Sequence, residues 1–205
     1  MAFTEFHYYS ETLEIDVSVN VILPETRIMA QQEGKPLPTL SLLHGLSDDH
    51  THWVRQTRLE FYARKYRLAI IMPCVNRSFY TDMKRGAKYF TFVSEELPRV
   101  MEMYFPLSSR REDRFAAGLS MGGYGAFKLG LRCPDRFAAV ASLSGGLDAA
   151  ECCKINDAPI WGQIFGKAED VPGSDNDLFA VAKRLKASGK ELPKLYMWCG
   201  TEDFL

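Results

Sequence analysis

Gly118-Leu119-Ser120-Met121-Gly122-Gly123-Tyr124-Gly125 is the stretch on which the reading of this chain turns. Arg114-Phe115-Ala116-Ala117 precedes it as a short, mostly apolar run suited to a buried strand, and Gly123 to Arg132 follows with helix-compatible residues. Strand, tight turn and helix therefore come in order. A serine presented on so cramped a turn needs residues two before and two after that carry no colliding side chain, and Gly118 and Gly122 meet that need. The turn also aims the first amides of the helix at the serine, where the Met121 N–H can hold negative charge developing on a tetrahedral intermediate. Ser120 is the candidate nucleophile. The bare G-x-S-x-G pattern arises by chance in about one chain in fifteen of this length, so the flanking strand and helix and an upstream partner have to carry the inference.

That partner is read at His44-Gly45-Leu46, directly after the apolar run Thr39 to Leu43. A strand running into His-Gly is where the second main-chain donor of an oxyanion hole is found, and Leu46 is the residue whose amide is assigned to it. The third part lies at the other end of the chain, where Lys194 to Cys199 reads as a strand ending in Gly200-Thr201-Glu202-Asp203. An acid at the tip of that strand is placed to orient a histidine, and Asp203 takes the role with Glu202 as fallback.

Composition sets the outer bounds. With 205 residues, 46% hydrophobic and 25% charged, the chain has the make-up of one globular α/β domain. Its 25 Lys+Arg against 26 Asp+Glu leave a net charge of -1, which gives no electrostatic reason to expect nucleic acid or an acidic membrane as a partner. The apolar run Leu68 to Val75 is too short to span a bilayer and contains Pro73. No secretory signal is visible in the first residues, so a cytoplasmic location is expected. The five cysteines show no C-x-x-C spacing and read as reduced thiols.

Around these anchors the chain reads as follows. Phe3 to Tyr9 and Glu11 to Leu23 suit an antiparallel edge hairpin, with Leu13, Ile15, Val17, Val19 and Val21 alternating inward; His7 on it is a plain sheet histidine. Pro24 to Pro38 is a surface connection. His50 and His52 with Asp48 or Asp49 invite a metal reading, but catalytic zinc histidines more often stand at i, i+4 on a helix; a polar loop capped by Asp48 or Asp49 is preferred, and no metal is assigned. Leu68 to Met72 is a central strand. Phe79-Tyr80-Thr81-Asp82 is a loop that either lines a pocket or packs aromatics onto the sheet. Ala87 to Phe105 has helical spacing, with Glu95 and Glu96 outward and Pro98 kinking or restarting it. Phe137 to Leu143 is a strand ending in a Ser144-Gly145-Gly146 turn, and Leu178 to Ala187 is a helix. Gly162 to Ala168 has the wrong glycine spacing for a phosphate loop.

His44-Gly45-Leu46, Tyr80-Thr81-Asp82, Glu95-Glu96-Leu97-Pro98, the elbow octapeptide and Cys199 to Leu205 together resemble the esterase D family of α/β-hydrolases, over residue 3 to the last residue. The likeness is strongest to bacterial tributyrin esterases, with S-formylglutathione hydrolases and mycolyltransferases more distant. It implies an α/β-hydrolase fold, a mostly parallel central sheet with helices on both faces, and hydrolysis of short-chain acyl esters with no cofactor. The roles it implies are Ser120 as nucleophile, Asp203 as triad acid, and the Leu46 and Met121 amides as oxyanion hole.

One part departs from the pattern. The family places its general base some way past the acid, beyond one more strand, whereas all four histidines here precede Ser120. His44 could serve only as a makeshift base. The expectation is therefore a single domain truncated at its C-terminus, lacking the last strand and helix and nearly inactive alone, the parent being a serine carboxylesterase. Thioester hydrolysis, acyl transfer, a non-catalytic binding module and a homo-oligomer remain open alternatives.

Overall fold

In the computed structural model, which describes residues 1–24, 34–155 and 159–203, the chain builds one seven-stranded sheet. The strands are β1 (Ala2–Ser10), β2 (Ile15–Leu23), β3 (Thr39–Leu43), β4 (Ala69–Pro73), β5 (Arg114–Leu119), β6 (Ala139–Leu143) and β7 (Lys194–Trp198), in spatial order β1-β2-β4-β3-β5-β6-β7. β1, β2 and β4 pair antiparallel in sequence, and β4, β3, β5, β6 and β7 run parallel. The helices are α1 (His52–Gln56), α2 (Leu59–Tyr66), α3 (Tyr89–Thr91), α4 (Leu97–Tyr104), α5 (Met121–Arg132), α6 (Ala149–Ile155), α7 (Pro159–Ile164) and α8 (Leu178–Ala187). Among the described residues no helix is long and apolar enough to cross a membrane.

The chain leaves β3 toward β4 on one side and returns to β5 on the other. Strand order therefore reverses between β3 and β5, and the crevice outside the carboxyl ends of strands at such a reversal is where open α/β sheets bind ligands. Alternation decides which residues face which layer. Leu43 joins the large core with Met121, Tyr124, Phe127 and Val140, whereas its neighbour Leu42 faces a small core of Ile22, Ala63, Ile70 and Met72 against Trp53 and Leu59. That second face is thinly covered. Phe115, Ala117, Ala139, Ala141 and Leu143 on it are only half-buried, and Tyr196 and Trp198 of β7 are 57% and 55% exposed.

Three expectations need correction. The hairpin turn consumes Glu11 to Glu14, so Ile15 is exposed, while Asn20 and Ile22 are buried because β2 also pairs with β4 on its far side. The segment from Tyr89 to Tyr104 is interrupted by a π-helical turn, Phe92–Glu96, just ahead of Pro98. Proline offers no N–H to the Ser94 carbonyl four residues back, and the Arg136 guanidinium donates to that oxygen instead. The same turn swings Glu96 inward: it is 5% exposed, and its Oε2 accepts from the Thr12 N–H at 2.7 Å. Most of the expected Pro24 to Pro38 connection lies outside the described residues.

Candidate active site

Ser120 stands at the end of β5 with φ 54 and ψ -118, a conformation non-glycine residues avoid, and it leads straight into α5. Such strain costs about 1–3 kcal/mol and persists only where the surroundings impose it. The glycines show how. A Cβ on Gly118 would come within 2.2 Å of the Gly122 carbonyl oxygen, and one on Gly122 within 2.3 Å of the Leu43 carbonyl oxygen. The Ser120 N–H is held by the Leu143 carbonyl at 2.9 Å, which ties the bend to β6. The Met121 amide opens the helix, where the first N–H groups have no intrahelical acceptor.

Left-handed, non-glycine backbone gathers at this end of the sheet. Asn76, Phe79 and Tyr80 follow β4, Ser120 follows β5 and Ser144 follows β6, all with positive φ. Sequence reasoning left the conformation of Phe79 and Tyr80 undetermined, since neither type signals it. Both are buried. The Phe79 N–H points at the Met121 sulfur at 3.2 Å, and the Tyr80 hydroxyl donates to the His44 carbonyl at 3.1 Å. The 79–80 turn thus touches both stretches named as oxyanion donors.

The His44 to Leu46 loop lies against the elbow, with the His44 carbonyl beside Gly122 and the Leu119 carbonyl beside Gly45. Asp48 fixes the loop by accepting from the Gly45 N–H at 3.1 Å and pairing with His52 at 3.2 Å. Asp49 accepts from the backbone N–H and hydroxyl of Thr51. Neither aspartate caps α1, contrary to expectation: its N-cap is Thr51, whose side chain makes no bond to the helix. Among the described residues no group of three or more His, Cys, Asp or Glu is arranged to hold a metal ion.

His44 is 1% exposed and fully committed. Its Nδ1 lies 2.7 Å from the Gly45 carbonyl oxygen, to which it must donate, leaving Nε2 to accept from the Val75 N–H at 3.1 Å. No lone pair is left for Ser120, so His44 is not even a makeshift base. Burial lowers its pKa below the ordinary 6.5. Above about pH 6.5 the ring is neutral both folded and unfolded. Below it, the unfolded chain takes a proton that the folded chain refuses, and stability falls. Melting curves between about pH 7.5 and 5 should show this loss, at most about 1.4 kcal/mol per pH unit, and His44→Gln should flatten it. An equal slope in the variant would remove His44 from the cause.

Asp203 sits just beyond β7, on the same sheet edge as Ser120, with β6 between them. Its N–H bonds the Gly200 carbonyl at 3.3 Å. The Cys199 thiol is pushed up by desolvation and by the adjoining Asp203 carboxylate. The neighbouring Glu202 is exposed. All five cysteines are free.

Comparison with known proteins places this geometry. The Esterase family model, described as "Putative esterase", matches residues 10–204. An acetyl esterase of Caldicellulosiruptor saccharolyticus is 31% identical over a 218-position alignment, spanning all of this chain and 82% of that protein. Among solved structures, the fluorophosphonate-binding serine hydrolase F of Staphylococcus aureus, with substrate bound, is 37% identical with TM-score 0.92, covering 100% of this chain and 81% of that one. An S-formylglutathione hydrolase apoenzyme from Staphylococcus aureus is also 37% identical, with TM-score 0.88 and the same coverage. Likeness of this extent over a strained serine turn admits one classification: the chain belongs to the esterase family, as an esterase D-type α/β-hydrolase, and is a carboxylic ester hydrolase.

Proposed function

We propose that the chain is the main body of a serine carboxylesterase that cleaves short-chain acyl esters through an acyl-enzyme. The backbone of Ser120 carries this reading: a strained residue at the sheet's reversal point, opening a helix, is a position that exists to present one hydroxyl. Ser120 Oγ attacks the ester carbonyl, the Leu46 and Met121 amides receive the oxyanion, the alcohol leaves, and water then frees the acid. The acid of the triad is Asp203. Its tip lies two strands from Ser120, about 10 Å between strand axes, a gap that one imidazole bonded at both ends can bridge.

That imidazole comes from a histidine C-terminal to Leu205. Three observations support this. His44 has no free nitrogen, the similar proteins are longer than the stretch that aligns with this chain, and β7 bears Leu195, Tyr196, Met197 and Trp198 more than half exposed. A further strand and helix would cover those side chains and the half-buried face of β5 and β6.

Acetyl and butyryl p-nitrophenyl esters should be turned over at least about tenfold faster than the octanoyl ester by the histidine-bearing enzyme, measured as kcat/KM. A preference for the octanoyl ester would overturn the short-chain reading. S-Formylglutathione hydrolysis is the second reading, favoured by the likeness to the staphylococcal S-formylglutathione hydrolase; a kcat/KM on that thioester well above the acetyl ester's would select it.

A further inference from the structure

Lys128 is a basic side chain with almost no access to water, 1% exposed, on the third turn of α5. Its Nζ donates to Thr81 Oγ1 at 2.8 Å and to Asn176 Oδ1 at 2.7 Å, and lies 5.1 Å from the centre of the Phe90 ring and 5.4 Å from that of Tyr124. Among the described residues no carboxylate bonds it. Burial, with Arg132 nearby, pulls its ammonium down to about 7. Charged or neutral, the amine keeps the two N–H donors that this site uses. Burying a lysine is costly unless hydrogen bonds satisfy its amine, as the bonds to Thr81 and Asn176 do.

The bonds lead from Lys128 to the site. The Thr81 hydroxyl that receives Nζ donates in turn to the Phe79 carbonyl at 2.9 Å. Phe79 and Tyr80 hold consecutive positive φ angles of 53 and 49, a turn that would relax if released. From that turn the Phe79 N–H reaches Met121, and the Tyr80 hydroxyl reaches the His44 carbonyl. The second arm, to Asn176, is steadied by the Tyr124 hydroxyl on the Asn176 carbonyl at 2.9 Å.

We propose that Lys128 is a positioning residue for the oxyanion hole: by clamping Thr81 it holds the strained 79–80 turn, which sets the spacing between the His44–Leu46 loop and Met121. Standing eight residues along α5 from Ser120, about 12 Å, it acts through Thr81 and touches no reacting atom. The inference rests on the reading of the Leu46 and Met121 amides as oxyanion donors. A hole of wrong width loses interactions made only in the transition state, so kcat should fall while KM holds.

The test compares Lys128→Met, Thr81→Val and the double variant with the unsubstituted histidine-bearing enzyme on p-nitrophenyl acetate. The expected result is a kcat about 10- to 100-fold lower for each single variant, KM within about twofold, and a double variant no slower than the slower single one. A kcat within about twofold of the unsubstituted enzyme, a loss entering through KM, or single losses that multiply in the double variant would overturn it. Should Lys128→Met fail to fold, the Thr81→Val kcat decides alone on the same criteria. The ¹³C-methyl resonance of Met121 supplies a readout independent of turnover: it should move in Thr81→Val, and an unmoved resonance overturns the clamp. Absence of ester turnover in the unsubstituted enzyme would instead strike the functional reading, leaving the Met121 signal to judge the clamp.

Discussion

Replacing Ser120 by alanine in the histidine-bearing enzyme should lower kcat on p-nitrophenyl acetate by about 10⁴-fold or more, with KM little changed. In the proposed mechanism this hydroxyl forms the acyl bond, and the strained backbone at Ser120 presents it. If the base lies beyond Leu205, as proposed, the chain ending there should show the same residual rate, because a serine without its base is a poor nucleophile near neutral pH. Members of a triad act as a unit, so removing both serine and base should cost little more than removing either. Rates of the three forms, each normalised to folded protein, check this. Full turnover by residues 1–205 alone would refute the assignment of the base to a later segment.

Gly122→Ala should be, with Gly118→Ala, among the most damaging single methyls in the molecule. Its Cβ would stand 2.3 Å from the Leu43 carbonyl oxygen, 2.6 Å from the Leu43 carbonyl carbon and 2.8 Å from the His44 carbonyl oxygen, all backbone atoms of β3 and its loop. Relief requires α5 to lift from the sheet, and a loss of at least about 3 kcal/mol is expected against a total stability of about 5–15. Urea unfolding should show a midpoint far below the unsubstituted enzyme's, or no folded baseline. Gly162→Ala in α7 is the control: its Cβ meets nothing within 4 Å, and the helix should gain up to about 1 kcal/mol. Equal midpoints for the two variants would contradict the packing of the elbow.

What could be read from sequence was what neighbours along the chain determine. The elbow with a strand leading into it from Arg114, the strands ending at Leu43 and Leu143, and α8 over Leu178–Ala187 follow from local spacing and from glycines whose absence of a side chain is itself the signal. Two of the omissions have distant partners. Glu96 reads as an outward charge in a helix, yet it bonds Thr12, 84 positions away. Lys128 reads only as a helix former, and its partners Thr81 and Asn176 lie 47 and 48 positions off. Asp48 and Asp49 read as helix caps because their residue type suits one, but Asp48 holds the His44–Leu46 loop through the Gly45 N–H and Asp49 holds Thr51. The inward turn of Glu96 had a legible cause in Pro98, whose missing N–H breaks the helical repeat just upstream.

The central claim is that Ser120 carries the acyl group. Mixing the histidine-bearing enzyme with p-nitrophenyl acetate, quenching in acid within one turnover and sequencing the peptides by mass spectrometry puts it to the test. One acetyl group on Ser120, absent in Ser120→Ala, is the predicted result. Continued turnover with Ser120 unmodified, or with the acetyl group on another residue, would contradict it.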